Sequence, residues 1–447
     1  MAEHTPTAEA GKLGPFLAMV LVAGMMIGSG VFLLPATLAA VGGMTLITWL
    51  ICSAGAMSLA AMFAGLAIIH PSPDGLVDYS RMGLGRYFGF QAGLAYWISM
   101  WTGEVALALA AVGYLAHFLP VLAQPWPALF AAIGVIWLVT LIALVGPRFL
   151  AKFGALTLAL GLAPVLAVAL FGWFWFDPAT FAAGWNVSGQ PPAKALVATI
   201  VPVFWAFTGL EASTVAASVV RDPRRNVPIA VLGGVGLTAL IYIAACAAIM
   251  GIVPAAELAR STAPFALAGN AMFGAIAAGA VALAIVLKIL GTTGSMILVT
   301  AETTRSSAAL SYFPRWLARV RADGNPARAL VTMAVVGSLA TFLTRSGLNQ
   351  QFNLMIDVST VLSTLVYLYC CVTLLRLSGQ AATVRGQIAA RVCAVVGGLF
   401  CLGVILGSGQ RLLIGGLAFV AATIPLWALY LLGQKISAAR AQAPEAG

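Results

Sequence analysis

The chain has 447 residues, 62% of them hydrophobic and 8% charged, with a mean hydropathy of +1.02 and a net charge of +10. A composition this poor in charge excludes a soluble globular domain, and repeated apolar runs of about 18 residues or more read as membrane spans. The excess of positive charge reads as membrane topology and not as nucleic-acid binding, because its placement follows those spans.

Twelve apolar segments are predicted, at about 13–41, 43–69, 87–118, 127–146, 150–176, 194–219, 228–252, 274–303, 329–344, 353–375, 388–408 and 411–434. The first follows a polar dozen residues without a small-residue cleavage pattern, so it reads as a span and not as a leader. Within it, residues 24–36 run Gly-Met-Met-Ile-Gly-Ser-Gly-Val-Phe-Leu-Leu-Pro-Ala. A Gly-Ser-Gly cluster at mid-membrane lets a helix unwind. Each backbone group left unpaired in lipid costs several kcal/mol, so such a break must line a cavity or be filled by a ligand. A discontinuous helix of this kind points to the substrate site of a secondary transporter. The sixth segment repeats the pattern at Val203-Phe204-Trp205-Ala206-Phe207-Thr208-Gly209-Leu210-Glu211-Ala212-Ser213. Breaks in the first and sixth spans fall at corresponding positions of two five-helix halves, as an inverted repeat requires.

Between spans six and seven, Pro223 and Pro228 stop one helix and start the next. The stretch 304–328, with Ser306, Arg315, Arg319, Arg321 and Arg328, reads as an amphipathic interfacial segment. Spans 11 and 12 stand outside the repeat. The chain therefore divides into a cytoplasmic tail at 1–12, a transporter core at 13–378, two further spans at 379–435 and a second cytoplasmic tail at 436–447. With the N-terminus in the cytoplasm, 18 lysines and arginines fall inside and 4 outside, with Lys288 within the membrane. This positive-inside bias puts both termini in the cytoplasm. The six cysteines, Cys52, Cys246, Cys370, Cys371, Cys393 and Cys401, all fall in spans without metal spacing and read as small hydrophobes. His70 and His117 fall at span ends and His4 in the tail, and no nucleotide-binding loop occurs, which argues against transport driven by ATP. Neither a metal nor a cofactor is expected, nor any covalent chemistry.

Four ionisable residues fall inside spans: Glu104, Glu211, Lys288 and Asp357. A mid-membrane charge costs roughly 2.5–3.5 kcal/mol on insertion scales, so these should face the interior and pair. Three acids against one base suit a cationic substrate, or carboxylates that hold protons until needed. The alternative for Lys288 and Asp357 is an ion pair that only holds helices together. Around the first break, the amides of Met26, Ile27, Gly28, Ser29 and Gly30 suit a substrate carboxylate. Carbonyls of the sixth break suit an ammonium. Close helix packing is the competing reading for the glycines. Of the aromatic residues at that depth, Trp205 and Tyr96 are candidate site residues.

These motifs resemble the basic amino acid/polyamine antiporters of the amino acid–polyamine–organocation superfamily. The resemblance rests on Gly28-Ser29-Gly30-Val31-Phe32-Leu33-Leu34-Pro35, Phe171-Gly172-Trp173-Phe174-Trp175-Phe176, Trp185-Asn186, Arg225-Asn226-Val227-Pro228-Ile229-Ala230 and Ser261-Thr262-Ala263-Pro264-Phe265, and it covers the chain from Gly24 to about Trp427. It implies an all-α membrane protein with a LeuT-like 5+5 inverted repeat, twelve transmembrane helices and broken helices 1 and 6, often dimeric, in a bacterial inner membrane. It also implies roles: Ser29 and its neighbours on the amino-acid head of the substrate, Trp205 as a stacking gate, Glu211 as a coupling carboxylate, and Tyr96 as part of a gate. The chain departs from the arginine–agmatine exchanger at Met25, Glu104, Thr208, Lys288, Met296 and Asp357. An aromatic wall is lost at Met296 and two carboxylates are gained, so an arginine-specific site is not expected.

The leading expectation is a sodium-independent exchanger of amino acids or polyamines, of the kind of ornithine, lysine or a diamine. A proton-coupled symporter of neutral amino acids is the alternative. A non-transporting sensor would lose the helix breaks or gain a soluble domain, and an ion channel would need a continuous pore lining. Neither pattern is present. Sodium-coupled proteins of this fold hold a cation between the first and eighth spans. Lys288, about two turns before Met296, is expected to put its ammonium there, near Met26–Gly28, with Asp357 or Glu104 as counter-charge.

Overall fold

The computed structural model describes residues 14–28, 30–70, 75–212, 223–309, 312–322 and 324–442. All regular structure among these residues is helical. In chain order the α-helices are α1 (Pro15–Met26), α2 (Leu34–Ala39), α3 (Thr45–Ile69), α4 (Gly75–Leu84), α5 (Arg86–Leu115), α6 (Pro125–Val145), α7 (Pro147–Phe171), α8 (Pro178–Ala183) and α9 (Pro192–Trp205). There follow α10 (Pro223–Ile252), α11 (Ala255–Leu258), α12 (Pro264–Phe273), α13 (Ala275–Ala309), α14 (Ala327–Leu343), α15 (Leu348–Leu377), α16 (Val384–Gly407) and α17 (Gln410–Gln442).

Nine stretches among the described residues are long and apolar enough to cross a membrane. They carry α3, α5, α6, α7, α10, α13, α15, α16 and α17, while α9 and α14 are shorter apolar helices. The first apolar segment is divided into α1 and α2. Proline starts many of these helices at their first turn, where its missing N–H would have had no partner. Burial decides which helices form the centre. In the best apolar window of α5 83% of residues are buried, and in that of α15 72%. In α16 the share is 22% and in α17 only 6%, so the last two helices stand at the periphery. The centre is built by α5 packed on α15 and α13, with α13 also against α7 and α1 against α10.

Several connections are more ordered than the sequence suggests. The segment expected to be a single amphipathic stretch over 304–328 is divided. Its first residues continue α13 to Ala309, and a 3-10 turn follows at Arg315–Ala318. Within that helix the hydroxyls of Thr300, Thr303 and Thr304 each donate to a carbonyl four residues earlier, which satisfies them without an outside partner. The family stretch Trp185-Asn186 lies across the α2–α3 connection, where Gly43 N–H donates to the Gly184 carbonyl, Met44 N–H to that of Trp185, and Val187 N–H to that of Val41, all at 2.9 Å. Beside it, Asp177 caps α8. The Thr180 hydroxyl and the amides of Ala179 and Thr180 hold its carboxyl below the usual aspartate range.

Gly42 explains why that strap fits. Its φ is +113°, and a Cβ there would lie 2.2 Å from the Gly184 carbonyl oxygen. Gly42→Ala is therefore expected to destabilise the protein by more than about 1 kcal/mol, through both a disfavoured backbone and a clash. A melting temperature in detergent that falls by several degrees would agree. An unchanged one would mean the strap does not hold this end of the bundle.

Candidate functional site

The site is built around the ends of α1 and α9 and the side chains that satisfy their free backbone groups. α1 stops at Met26, and Gly28 N–H turns back to the Met26 carbonyl at 2.8 Å. That carbonyl also accepts from the Tyr242 hydroxyl at 2.8 Å. On the far side of the break the Phe32 carbonyl accepts from Tyr114 at 2.8 Å. Buried tyrosines from α10 and α5 thus supply partners that the helix gives up, as a lipid-embedded break requires.

The two glycines of the break serve different contacts. A Cβ on Gly30 would lie 2.9 Å from the Ala206 Cα and 3.0 Å from the Trp205 ring. Gly30 therefore lets the first break lie directly on the sixth. A Cβ on Gly28 would lie 2.5 Å from the Thr292 hydroxyl and 2.7 Å from the Lys288 Nζ on α13. Met26 and Ile27 are buried beside them. Ser29 lies outside the described residues. The close-packing reading of these glycines and the helix-break reading describe the same feature.

The sixth span unwinds after Trp205. The Thr208 hydroxyl turns back to the Trp205 carbonyl at 2.6 Å, so it caps its own helix end. Gly209, at φ +99°, makes the reversal, and its N–H donates to Glu211 Oε2 at 3.0 Å. Glu211 is only 6% exposed. Its Oε1 accepts from the Tyr96 hydroxyl at 2.9 Å and its Oε2 from the Tyr367 hydroxyl at 2.5 Å. One carboxylate thus joins α5, α15 and the sixth break. Trp205 is buried at 1% exposure, edge-to-face with Phe352 at 5.6 Å between ring centroids.

Glu104 lies two turns beyond Tyr96 on α5. The Thr300 hydroxyl of α13 donates to its Oε1 at 2.6 Å. Met296 reaches the same part of α5, since its Cε would lie 2.7 Å from a Cβ on Gly103. Nearby, Ser99 of α5 donates to the Ser359 carbonyl of α15 at 2.8 Å and lies 2.5 Å from the Ser363 hydroxyl.

Lys288 is 4% exposed and sits where the first break meets α13, with Nζ donating to Thr292 Oγ1 at 2.8 Å. Its stem presses on Gly161 of α7, where a Cβ would lie 2.0 Å from the Lys288 Cβ. The expected counter-charges do not pair with it. Glu104 is bonded to Thr300, and Asp357 faces elsewhere. Asp357 is corrected from the central set for a geometric reason. Residues two apart on an α-helix point about 200° apart. Ser359 faces α5, so Asp357 turns outward, lining a cavity of about 310 Å³ with Lys194, Val201 and Ser408.

Composition and spacing missed Tyr114, Tyr242, Tyr367, Ser359 and Thr300. Of these Tyr242 and Tyr367 carried a legible signal, a hydroxyl well inside a buried apolar helix.

The sequence profile described as amino acid permease matches residues 13–432. The "Cadaverine/lysine antiporter" of Escherichia coli (strain K12) is 34% identical over 414 residues, covering 91% of this chain and 92% of that protein. The "Putrescine transporter PotE" of the same strain is 32% identical over 425 residues, covering 95% and 96%. Among solved structures, MhsT in complex with L-phenylalanine superposes with a TM-score of 0.61 at 16% identity, over 88% of this chain and 98% of that one. That last likeness establishes the LeuT-like fold alone.

The Glu211 clamp yields a direct expectation. Hydrogen bonds to a charged group are worth roughly 1.5–3 kcal/mol, so Tyr367→Phe and Tyr96→Phe should each slow transport in proteoliposomes by about tenfold or more. The double variant should be little worse than the worse single one, because the first loss already frees the sixth break. Singles with wild-type rates would remove the clamp from the transport cycle.

Proposed function

The chain belongs to the amino acid permease family, and from that premise we propose that it exchanges a cationic amino acid for a diamine across a bacterial inner membrane. It is an integral multi-pass membrane transporter and not an enzyme. The reading adds the divided first segment and the two shorter apolar helices to the nine long ones, for twelve crossings with both termini cytoplasmic. The ten helical crossings before α16 then form the inverted pair of five. A homodimer is part of the proposal on the family resemblance alone.

The observation that carries the reading is Glu211, a buried carboxylate at a glycine reversal in the sixth span, in a chain whose relatives are named for lysine, cadaverine and putrescine. Lysine and an aliphatic diamine share a terminal ammonium, which Glu104 and the carbonyls of the sixth break can receive. Lysine adds a carboxylate, which the segment between α1 and α2 would receive as it rearranges, because the Ile27 and Gly28 amides are bonded to the Ala23 and Met26 carbonyls here. Trp205 closes over the bound molecule, and the release of Glu211 from Tyr96 and Tyr367 opens it. Exchange of a singly charged lysine for a doubly charged diamine moves one net charge. The named relatives give no support to a symporter of neutral amino acids.

Lys288 takes the part of a bound cation in this scheme. Its ammonium stands at Gly28 and Thr292, so it ties the first span to α13 without sodium. Uptake of labelled lysine into diamine-loaded vesicles should be equal in sodium and in choline medium, and Lys288→Ala should lower it. Sodium stimulation of the wild type would end the Lys288 reading. Glu211→Gln should abolish or strongly slow exchange at normal expression, and unchanged turnover at every pH would remove that residue. Trp205→Leu should weaken lysine binding about tenfold, since an aromatic face over a desolvated cation is worth roughly 0.5–2 kcal/mol. Wild-type affinity would make Trp205 packing only.

A further inference from the structure

Asp357 is the carboxylate that the central constellation leaves out. It stands nine residues into α15, about 14 Å along the helix axis. Among the described residues it makes no hydrogen bond and no ion pair. A charge at that depth needs a partner, and intramembrane carboxylates without one are functional sites by default. Here the carboxylate lines a cavity of about 310 Å³ between α9, α15 and the α16–α17 junction. That volume is at the small end of sites for small molecules. The walls are apolar at Val197, Val201 and Leu412, and Ser408 adds a hydroxyl. Lys194 and Ser408 belong to the end of the bundle that the lysine–arginine distribution assigns to the outside.

We propose that this cavity is a second, outward-facing site for an aliphatic primary amine, with Asp357 as its anion. An alkyl chain lies along the apolar walls, and its ammonium offers three donors, enough for the Asp357 carboxylate and the Ser408 hydroxyl. A single carboxylate among apolar walls is a poor cage for a hard metal ion, which needs six or more oxygens. Lys194 is exposed and also lines the cavity. Its flexible stem lets the ammonium turn to water when an amine enters. The proposal takes its amine class from the exchange reading above, but its carboxylate and walls are separate from Trp205, Glu104 and Glu211.

Equilibrium dialysis of radiolabelled 1,5-diaminopentane against the full-length protein in detergent tests it, with exchange in proteoliposomes measured in parallel. The wild type should show two classes of bound diamine. Asp357→Asn should weaken one class by about tenfold or more, as loss of a charged hydrogen-bond partner does. Ala198→Leu fills the cavity, keeps the carboxylate and should remove the same class, which guards against a charge variant that folds poorly. A single class in the wild type, or two classes surviving in both variants, overturns the proposal. If exchange is absent while binding that depends on Asp357 persists, the exchange reading fails and this site stands.

Discussion

A backbone group without a partner in hydrocarbon costs several kcal/mol, and the ends of α1 and α9 meet that constraint with side chains. The rest of the centre is arranged around that constraint. Tyr242 and Tyr114 donate to the Met26 and Phe32 carbonyls of the first break. At the sixth break Thr208 caps the Trp205 carbonyl, while Glu211 accepts the Gly209 N–H and two tyrosine hydroxyls. Partners held by side chains, unlike those within a helix, can be exchanged for a ligand or for one another as helices move. The same bonds therefore make these helix ends tolerable.

The buried charges follow the same logic by different means. Glu211 is held by hydroxyls and an amide, and Glu104 by a threonine of α13. Lys288 lies in a slot that glycines open on either side, Gly28 toward the first break and Gly161 toward α7. Bulk at either glycine would displace the lysine, so the small residues and the charge form one device. Asp357 stands apart with its own cavity. Two carboxylates, Glu104 and Glu211, therefore stand with Lys288 among the central residues.

Much of the centre was legible in the sequence because its cause is local. The Gly28-Ser29-Gly30 cluster marked the end of α1, and the lone Gly209 beside a carboxylate marked the region of Trp205 and Glu211. Lysine at mid-span likewise marked itself, and the expected place beside Gly28 follows from its depth. The partners were not legible because they come from far along the chain. Tyr114 is 82 residues from Phe32, Tyr367 is 156 from Glu211, and Tyr242 is 216 from Met26. No periodicity records such distances. Asp357 was misplaced because depth along a helix is readable from a sequence and angle around it is not, when both faces are apolar. The segment 304–328 differs from its reading at its start, where Thr304 bonds back to the Thr300 carbonyl and α13 runs on to Ala309.

If Trp205 and the Glu211 clamp let the centre move only with a substrate bound, transport is obligate exchange. The most direct measurement is the initial uptake of labelled 1,5-diaminopentane, without sodium, into proteoliposomes loaded with lysine and into empty ones. The account predicts rapid uptake into loaded vesicles and almost none into empty ones. Equal uptake into both would show that the empty centre turns over unaided, and would contradict it.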